Sequence, residues 1–370
     1  LDGRGRRVGV GGFRRNKIRR LIMKILNVVL VGVGNRGRWP LERCLPEAGW
    51  RVVGLVDRAE AHLAEARART GLPPTACFDD LERALDATRP HAVILCTPTK
   101  THAPFTKLAV ARGVAVLTEK GMATCWDEAR ELVEFVRTRA GVFAVAQNYR
   151  HDAKSAVLRA ALHGAPADDA GLAGVPRLEA PYLLDYVQHR VRPVPGTLTY
   201  PFASVWDMSC HHFDNLLDWL GPVAEVTAHA YGAPWSPYEH ASNTSAFLRF
   251  ASGVAVNYVH THDAGRNSLR IEAHARNGVL SVREDGAEFR ERGVANFEER
   301  PATALALPRR DPETRMLAEF HAYVADGREP GISGRRNLET MALCELTVRS
   351  ALLGRTVRRE ELEAKAEAAR

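Results

Sequence analysis

Residues 23–37 read MKILNVVLVGVGNRG, and the next apolar stretch, 51–57, reads RVVGLVD. Residues 28–33 form a short apolar run rich in β-branched side chains, as expected of a strand buried on both faces. The run leads directly into Gly32-Val33-Gly34-Asn35-Arg36-Gly37. A helical pattern follows with Pro40 in its first turn, where a missing N–H does no harm. In a GxGxxG turn the first glycine permits a tight bend and the second lets backbone approach a pyrophosphate. The third lets helix pack on strand, and the helix N-terminus adds orphan N–H groups. A bare glycine cluster is weak, as Gly9-Val10-Gly11-Gly12 nearby shows. Strand before and helix after supply the confirming context, so Gly32, Gly34, Asn35, Arg36 and Gly37 are expected to hold a dinucleotide.

A carboxylate twenty residues past Gly37 strengthens this. Asp57 closes the second strand, 51–56, where it can accept both adenosine-ribose hydroxyls and repel a 2′-phosphate. Its other role would be to cap the helix starting at Ala59. Arg58 is adjacent and could cradle that phosphate instead. NAD is the expected cofactor, and NADP stays open. The alternation then continues: helix 59–70, a helix near 81–87 capped by Asp79-Asp80, strand 91–96, helix 101–112, strand 114–118, helix 124–140 and strand 142–146. Such alternation predicts a doubly wound parallel sheet, with ligands beyond the carboxyl ends of its strands. Three polar clusters fall at those ends: Thr97, Pro98 and His102; Glu119 and Lys120; Gln147, Asn148, Tyr149 and Arg150.

The chain has 370 residues, more than one core usually fills, since single cores stop growing at roughly 250–300. With 45% apolar and 26% charged residues it reads as a globular protein rather than a disordered, collagenous or coiled-coil one. Beyond a crossover helix at 148–164 the pattern turns to strands, predicted at 177–186, 223–231, 244–250, 254–261, 268–274 and 279–282. Several alternate with period two, so an α+β domain with a large, mostly antiparallel open sheet is expected. The Pro-rich stretch 188–203 reads as an active-site loop. Helices at 311–325 and 337–353 return to cover the first domain. The domain boundaries read as 23–148 for the Rossmann unit and 149–357 for the substrate and oligomerisation unit, with 358–370 a charged helix or tail.

The net charge of +7 is local. Residues 1–22 hold eight Lys or Arg against Asp2, while the remainder is balanced. They read as a disordered or non-native basic tail ahead of a start at Met23, and the pI carries no case for nucleic acid. A secretory reading of 14–33 fails on the missing small-residue cleavage site, and its apolar part is the first strand. No apolar run approaches the roughly 18 residues of a spanning helix. Six scattered cysteines without a CxxC pair fit a reducing, cytoplasmic setting.

Together these residues resemble the glucose–fructose oxidoreductase / inositol dehydrogenase (Gfo/Idh/MocA) family. Its marks are a GxGxxG near the N-terminus, T-P-x-x-x-H after the fourth strand, E-K-P after the fifth, N-x-R after the sixth, and D-x-G-x-H-x-x-D opening a second-domain helix. Here they read Gly32–Gly37, Thr97-Pro98 with His102, Glu119-Lys120-Gly121, Asn148-Tyr149-Arg150, and Asp207 to Asp214 with His211 and His212 inside. The likeness runs from about residue 23 to about residue 357. Gly121 stands for the family's Pro, which would loosen the turn presenting Lys120. Ser209 stands for Gly and would narrow the substrate pocket or bond within it.

Hydride transfer to or from nicotinamide needs a held cofactor, an oriented carbinol and a group that moves the hydroxyl proton. Lys120 at a strand end and His211, which titrates near neutrality when unperturbed, are the candidate proton handlers. Asp207 lies four residues before His211, on the same helical face, where it could orient the imidazole or bind a substrate hydroxyl. The family implies the same trio. Tyr149, Arg150 and His212 join Lys120, Asp207 and His211 as candidate substrate contacts. His260 and His262 share a strand face but lack a third ligand, so no metal is expected. The leading expectation is an NAD(P)-dependent dehydrogenase of a sugar, cyclitol or related polyol. A glycosidase using NAD transiently and a non-catalytic dinucleotide sensor are the alternatives; the trio speaks against the sensor. An open sheet needs a partner face, so a homodimer or homotetramer through the C-terminal sheet is expected, with no nucleic acid or membrane partner.

Overall fold

The computed structural model describes residues 24–167, 169–192, 200–293 and 300–363. The basic tail through Met23, Pro193 and Pro195 of the Pro-rich stretch, and the end of the charged C-terminal segment lie outside the described residues.

The first domain builds outward from β1 (Leu26–Val31), an almost wholly buried strand. It pairs in parallel with β2 (Trp50–Val56) on one side and β4 (Ala92–Leu95) on the other. Between them run α1 (Arg38–Arg43), α2 (Glu60–Thr70), the short β3 (Cys77–Phe78) and α3 (Leu81–Thr88). Asp80 caps α3 by accepting the Arg83 N–H at 3.0 Å, as the Asp-Asp pair suggested. The alternation ends with α4 (His102–Ala111), β5 (Ala115–Thr118), α5 (Trp126–Thr138) and β6 (Phe143–Val145). The strand order is β3-β2-β1-β4-β5-β6, all parallel. The order in which strands are added therefore reverses between β1 and β4, and the cleft for a ligand opens there.

The crossover is not one helix. A 3-10 turn at Asn148–His151 comes first, and α6 (Ala153–His163) starts anew because Asp152 caps it, accepting the Ser155 N–H at 2.6 Å. The strand expected at 177–186 lies further on, as β7 (Leu183–Val191). Its inward alternation of Leu184, Tyr186 and Gln188 runs into the stretch that proline content had marked as loop. After a wide π-type turn, Ser204–Ser209, come α7 (Cys210–Leu220), β8 (Val223–Tyr231), β9 (Asn243–Phe250), β10 (Ala255–Thr261), β11 (Asp263–Ala275) and β12 (Gly278–Arg283). Two short strands, β13 (Ala287–Glu291) and β14 (Ala302–Leu305), were not foreseen. With β15 (Val357–Arg358), which adds to the far edge, they make a nine-stranded sheet, ordered β14-β13-β12-β11-β7-β10-β9-β8-β15. Only β7 and β10 pair in parallel. Among the described residues no helix is long and apolar enough to cross a membrane.

Two helices return to bind the domains together. In α8 (Pro312–Asp326) Met316, Leu317 and Phe320 join the first-domain core, and Phe320 stacks on Trp50 with centroids 5.4 Å apart. Ahead of α9 (Gly334–Leu353), the Ile332 carbonyl accepts the Val145 N–H at 2.9 Å, so the chain adds to the edge of β6. Gly334 is needed there, because a Cβ would lie 2.1 Å from the Phe143 ring.

Arg150 clasps the crossover turn to α7. Its Nε and Nη2 donate to the two Asp214 carboxylate oxygens at 2.9 and 2.8 Å, and Nη1 donates to Asp218. Thr340 of α9 adds a third bond to Asp214 at 3.2 Å. Both members of the pair are buried. Replacing Asp214 leaves the buried guanidinium with Asp218 alone, a loss of up to about 3–5 kcal/mol. Asp214→Asn is therefore expected to lower unfolding free energy by about that much in a urea titration; a loss below about 1 kcal/mol, typical of exposed pairs, would contradict the clasp.

Candidate active site

The glycine turn has the tightness its motif requires. Gly32 takes φ +78°, and a Cβ there would stand 2.8 Å from the Cys96 carbonyl carbon. A Cβ on Gly37 would lie 2.0 Å from the Gly32 oxygen, so α1 rests directly on the turn. Beyond it opens a cleft of about 520 Å³, whose walls include Gly32, Gly34, Asn35, Arg36, Asp57, Arg58, Thr97 and Pro98. Asp57 Oδ1 accepts the Ala59 N–H at 2.9 Å and faces His62 Nδ1 at 3.3 Å. Both readings of Asp57 thus meet in one side chain: one oxygen braces the start of α2, and Oδ2 has no partner among the described residues. Arg58 is exposed beside it. His62 was not foreseen. It also sits over Gly34, where an added Cβ would come within 2.8 Å of its Cε1.

Two of the polar residues expected to face the cofactor turn inward instead. Glu119 is 4% exposed, and its Oε1 accepts from Arg36 Nε at 2.8 Å and Trp39 Nε1 at 2.9 Å. It braces the glycine turn. His102 is buried beneath the turn after β4, with Nε2 2.7 Å from the Thr97 carbonyl and Nδ1 2.7 Å from the Gly121 carbonyl. Burial holds its pKa below the ordinary range, against the pull of those two carbonyls. His102 thereby ties the loop after β4 to the loop after β5, and the Gly121 turn is anchored rather than loose.

Lys120, Gln147, Tyr149, Asp207 and His211 gather at the other end. Lys120 Nζ donates to the Asp207 backbone carbonyl at 2.6 Å. Of the two roles open to the Asp207 carboxylate, the contact with the imidazole does not form, because residues 204–209 make a π-type turn and the four-residue spacing no longer stacks the side chains. Instead the Asp207 carboxylate lies near Tyr200, whose hydroxyl pKa is pushed up first by burial and then by the Asp207 charge. His211 takes its orientation from Gln147, whose Oε1 lies 2.8 Å from Nδ1, and from the Tyr149 ring stacked 4.3 Å away. Burial, reinforced by the Lys120 charge, holds the His211 pKa well below its usual value. A neutral ring that gives its Nδ1 hydrogen to Gln147 keeps a bare lone pair on Nε2, the form a general base needs.

The remaining candidates lie apart. Arg150 is committed to Asp214 and Asp218 rather than to an open pocket. His212 points the other way from His211, into a buried layer, with Nδ1 2.8 Å from the Tyr258 hydroxyl. Ser209 bonds in that same layer: its Oγ receives the Tyr258 hydroxyl at 2.8 Å and lies 3.1 Å from His260 Nδ1. Asn148 Nδ2 donates to Glu313 at 3.1 Å. On the outer sheet face Asp185, Glu272 and His274 bring ligand atoms within 4.8 Å of one another. Asp185 already accepts from Asn257 at 2.7 Å and Glu272 from Arg270 at 2.8 Å, so we assign no metal there.

Two family patterns match the chain: "Oxidoreductase family, NAD-binding Rossmann fold" over residues 26–147 and "GFO/IDH/MocA C-terminal domain" over residues 202–281. The chain belongs to the Gfo/Idh/MocA family of NAD-binding oxidoreductases. It is 28% identical to a D-apiose dehydrogenase of Paraburkholderia graminis over 92% of this chain and 91% of that protein. It is 26% identical to an inositol 2-dehydrogenase of Rhizobium meliloti over 87% of this chain and 95% of that one. In fold it matches an oxidoreductase from Agrobacterium radiobacter, solved with NAD+, L-tartaric acid and magnesium, at a TM-score of 0.75 and 17% identity, covering 91% and 99% of the two chains. The glycine cradle, the free Asp57 oxygen and the size of the cleft fit the dinucleotide of this family.

The neutral state of His211 can be read directly. In ¹⁵N-histidine spectra its ring is expected to keep the Nδ1–H tautomer as pH falls through about 6.5, since a lowered pKa preserves the neutral form into more acid solution. His211→Asn assigns the resonance, and a titration centred at or above about 6.5 would contradict the buried geometry.

Proposed function

We propose that this protein moves a hydride between NAD and a secondary hydroxyl or keto carbon of a sugar, cyclitol or related polyol, with Lys120 and His211 handling the proton. Bound NAD would supply the hydride acceptor or donor. The observation that carries the reading is the pairing at the inner end of the cleft. A lysine ammonium is seated on the Asp207 carbonyl, and four residues on a neutral imidazole is turned by Gln147 and Tyr149 so that Nε2 is the free nitrogen.

In the oxidative direction His211 Nε2 accepts the carbinol proton while Lys120 donates a hydrogen bond to the same oxygen; in reduction the transfers reverse. Asp207 is the remaining acceptor for a neighbouring hydroxyl. A site that pairs buried polar groups with several hydroxyls selects polyols over apolar alcohols. The relatives named inositol 2-dehydrogenase, D-apiose dehydrogenase and levoglucosan dehydrogenase support that substrate class. Asp57 favours NAD over NADP, with exposed Arg58 beside it a group that would favour the phosphate. The outer face of the nine-stranded sheet, where Phe247 and Tyr231 are exposed, is the surface on which we propose homodimer or homotetramer contacts. Six free cysteines fit a cytoplasmic location.

Lys120→Met is expected to lower kcat for the best polyol by about 10²–10⁴-fold while the NADH Kd, read by fluorescence titration, stays near that of the parent. Unchanged turnover would remove Lys120 from the reaction.

A further inference from the structure

The inner face of β7 presents Tyr186, Gln188 and Arg190 in alternation. Below them, between this face, α6 and α7, lies a cavity of about 220 Å³ whose walls include Asn148, Tyr149, Gln188, Arg190 and Asn215. Tyr149 is shared with the reactive end, since its ring stacks 4.3 Å from His211.

The wall holds two acids, Asp152 and Glu284, and two bases, Lys154 and Arg190, but they do not pair one to one. Asp152 is occupied as the cap of α6, and Lys154 and Glu284 face each other at 3.8 Å. Arg190 has no ion pair or hydrogen bond among the described residues, and its Nε is buried without a partner. Asn148 Oδ1 is likewise buried and unpartnered. The imidazoles near Arg190 bring it no negative charge, since an imidazole is neutral or cationic. His212 and His260 are held neutral, first by burial and then by neighbouring cations that include Arg190. A guanidinium keeps its proton at any working pH, and Arg190, half-buried with its Nε shut away from solvent, keeps that donor unsatisfied, which is costly. Its planar fork matches a carboxylate or a phosphate.

We propose that Arg190 is the counter-ion for an anionic group of the substrate, a carboxylate or phosphate carried by the sugar or polyol whose carbinol reaches His211. The cavity has room for such a group and its adjoining carbons. This inference rests on the proposed dehydrogenase reading and narrows its substrate class from polyols at large to anionic ones.

The test is a calorimetric titration of the NADH-saturated protein with glucuronate, glucose 6-phosphate and glucose, on the parent, Arg190→Met and Arg190→Lys. In the parent, one of the two anions is expected to bind at least about tenfold more tightly than glucose, and which one does so separates carboxylate from phosphate. A charge-assisted bond of this kind is worth about ten- to a hundred-fold in affinity, so the anion-to-neutral ratio should fall by that factor in Arg190→Met and partly recover in Arg190→Lys. Arg190→Lys keeps the cation and so tests the charge even if Arg190→Met fails to fold, and thermal melting reports on folding in both. A parent that binds neither anion more tightly than glucose, or a ratio unmoved in Arg190→Met, overturns the inference. Failure of NADH itself to bind would instead overturn the dehydrogenase reading.

Discussion

The glycine turn and the helix that leaves it lie so close that no Cβ fits between them at Gly37. With Gly37 resting on the Gly32 carbonyl, no side chain fits between them, and α1 is fixed in angle and height above β1. Everything that meets the cofactor follows from that placement. Arg36 and Trp39, one in the turn and one in α1, are carried to where both reach Glu119. Glu119 precedes Lys120, so the phosphate-facing turn and the lysine are held by one carboxylate. His102 makes the next link, from Thr97 to Gly121. The carboxyl ends of β1, β4 and β5 thus act as one rigid rim.

The second domain completes the site by a different device. Its contribution is made by one turn, Ser204–Ser209, whose wide winding offers the Asp207 carbonyl to Lys120 and starts α7 with His211 facing the rim. Arg150 holds α7 in place through Asp214. The interior around it is built from neutral imidazoles: burial, chiefly, pushes His151 and His212 down to about 3 and His262 to about 4. Fixed guanidinium groups therefore carry the positive charge in this layer, and their partners decide what each can do. Arg150 is satisfied by protein carboxylates and is structural; Arg190 faces a cavity.

The parallel sheet and the glycine turn were readable in the amino-acid sequence because buried strands and turn glycines leave strong, local patterns. The polar motif residues were harder. Glu119, His102 and Arg150 stand beside groups that face the cleft, and position in a motif does not say which way a side chain turns at a strand end. The link from Asp207 to His211 failed for a related reason: it assumed α-helical spacing in a segment that winds as a π-type turn. The choice of His211 over His212 agrees with the way the two rings point, but Gln147, its actual orienting partner, is far away in the chain. His62 could have been suspected from its place one turn into the helix after Asp57. Strands β13 and β14 are short and carry charged or small residues, so they had no alternation long enough to notice.

A crystal structure of the protein with NADH bound would test the central claim most directly. The account predicts the nicotinamide C4 beside Lys120 and His211, with room for a carbinol carbon at about 3–3.5 Å from C4 and its oxygen within hydrogen-bond reach of Nζ and Nε2. A nicotinamide ring directed away from these two groups, with Lys120 and His211 facing no part of the cofactor, would contradict it.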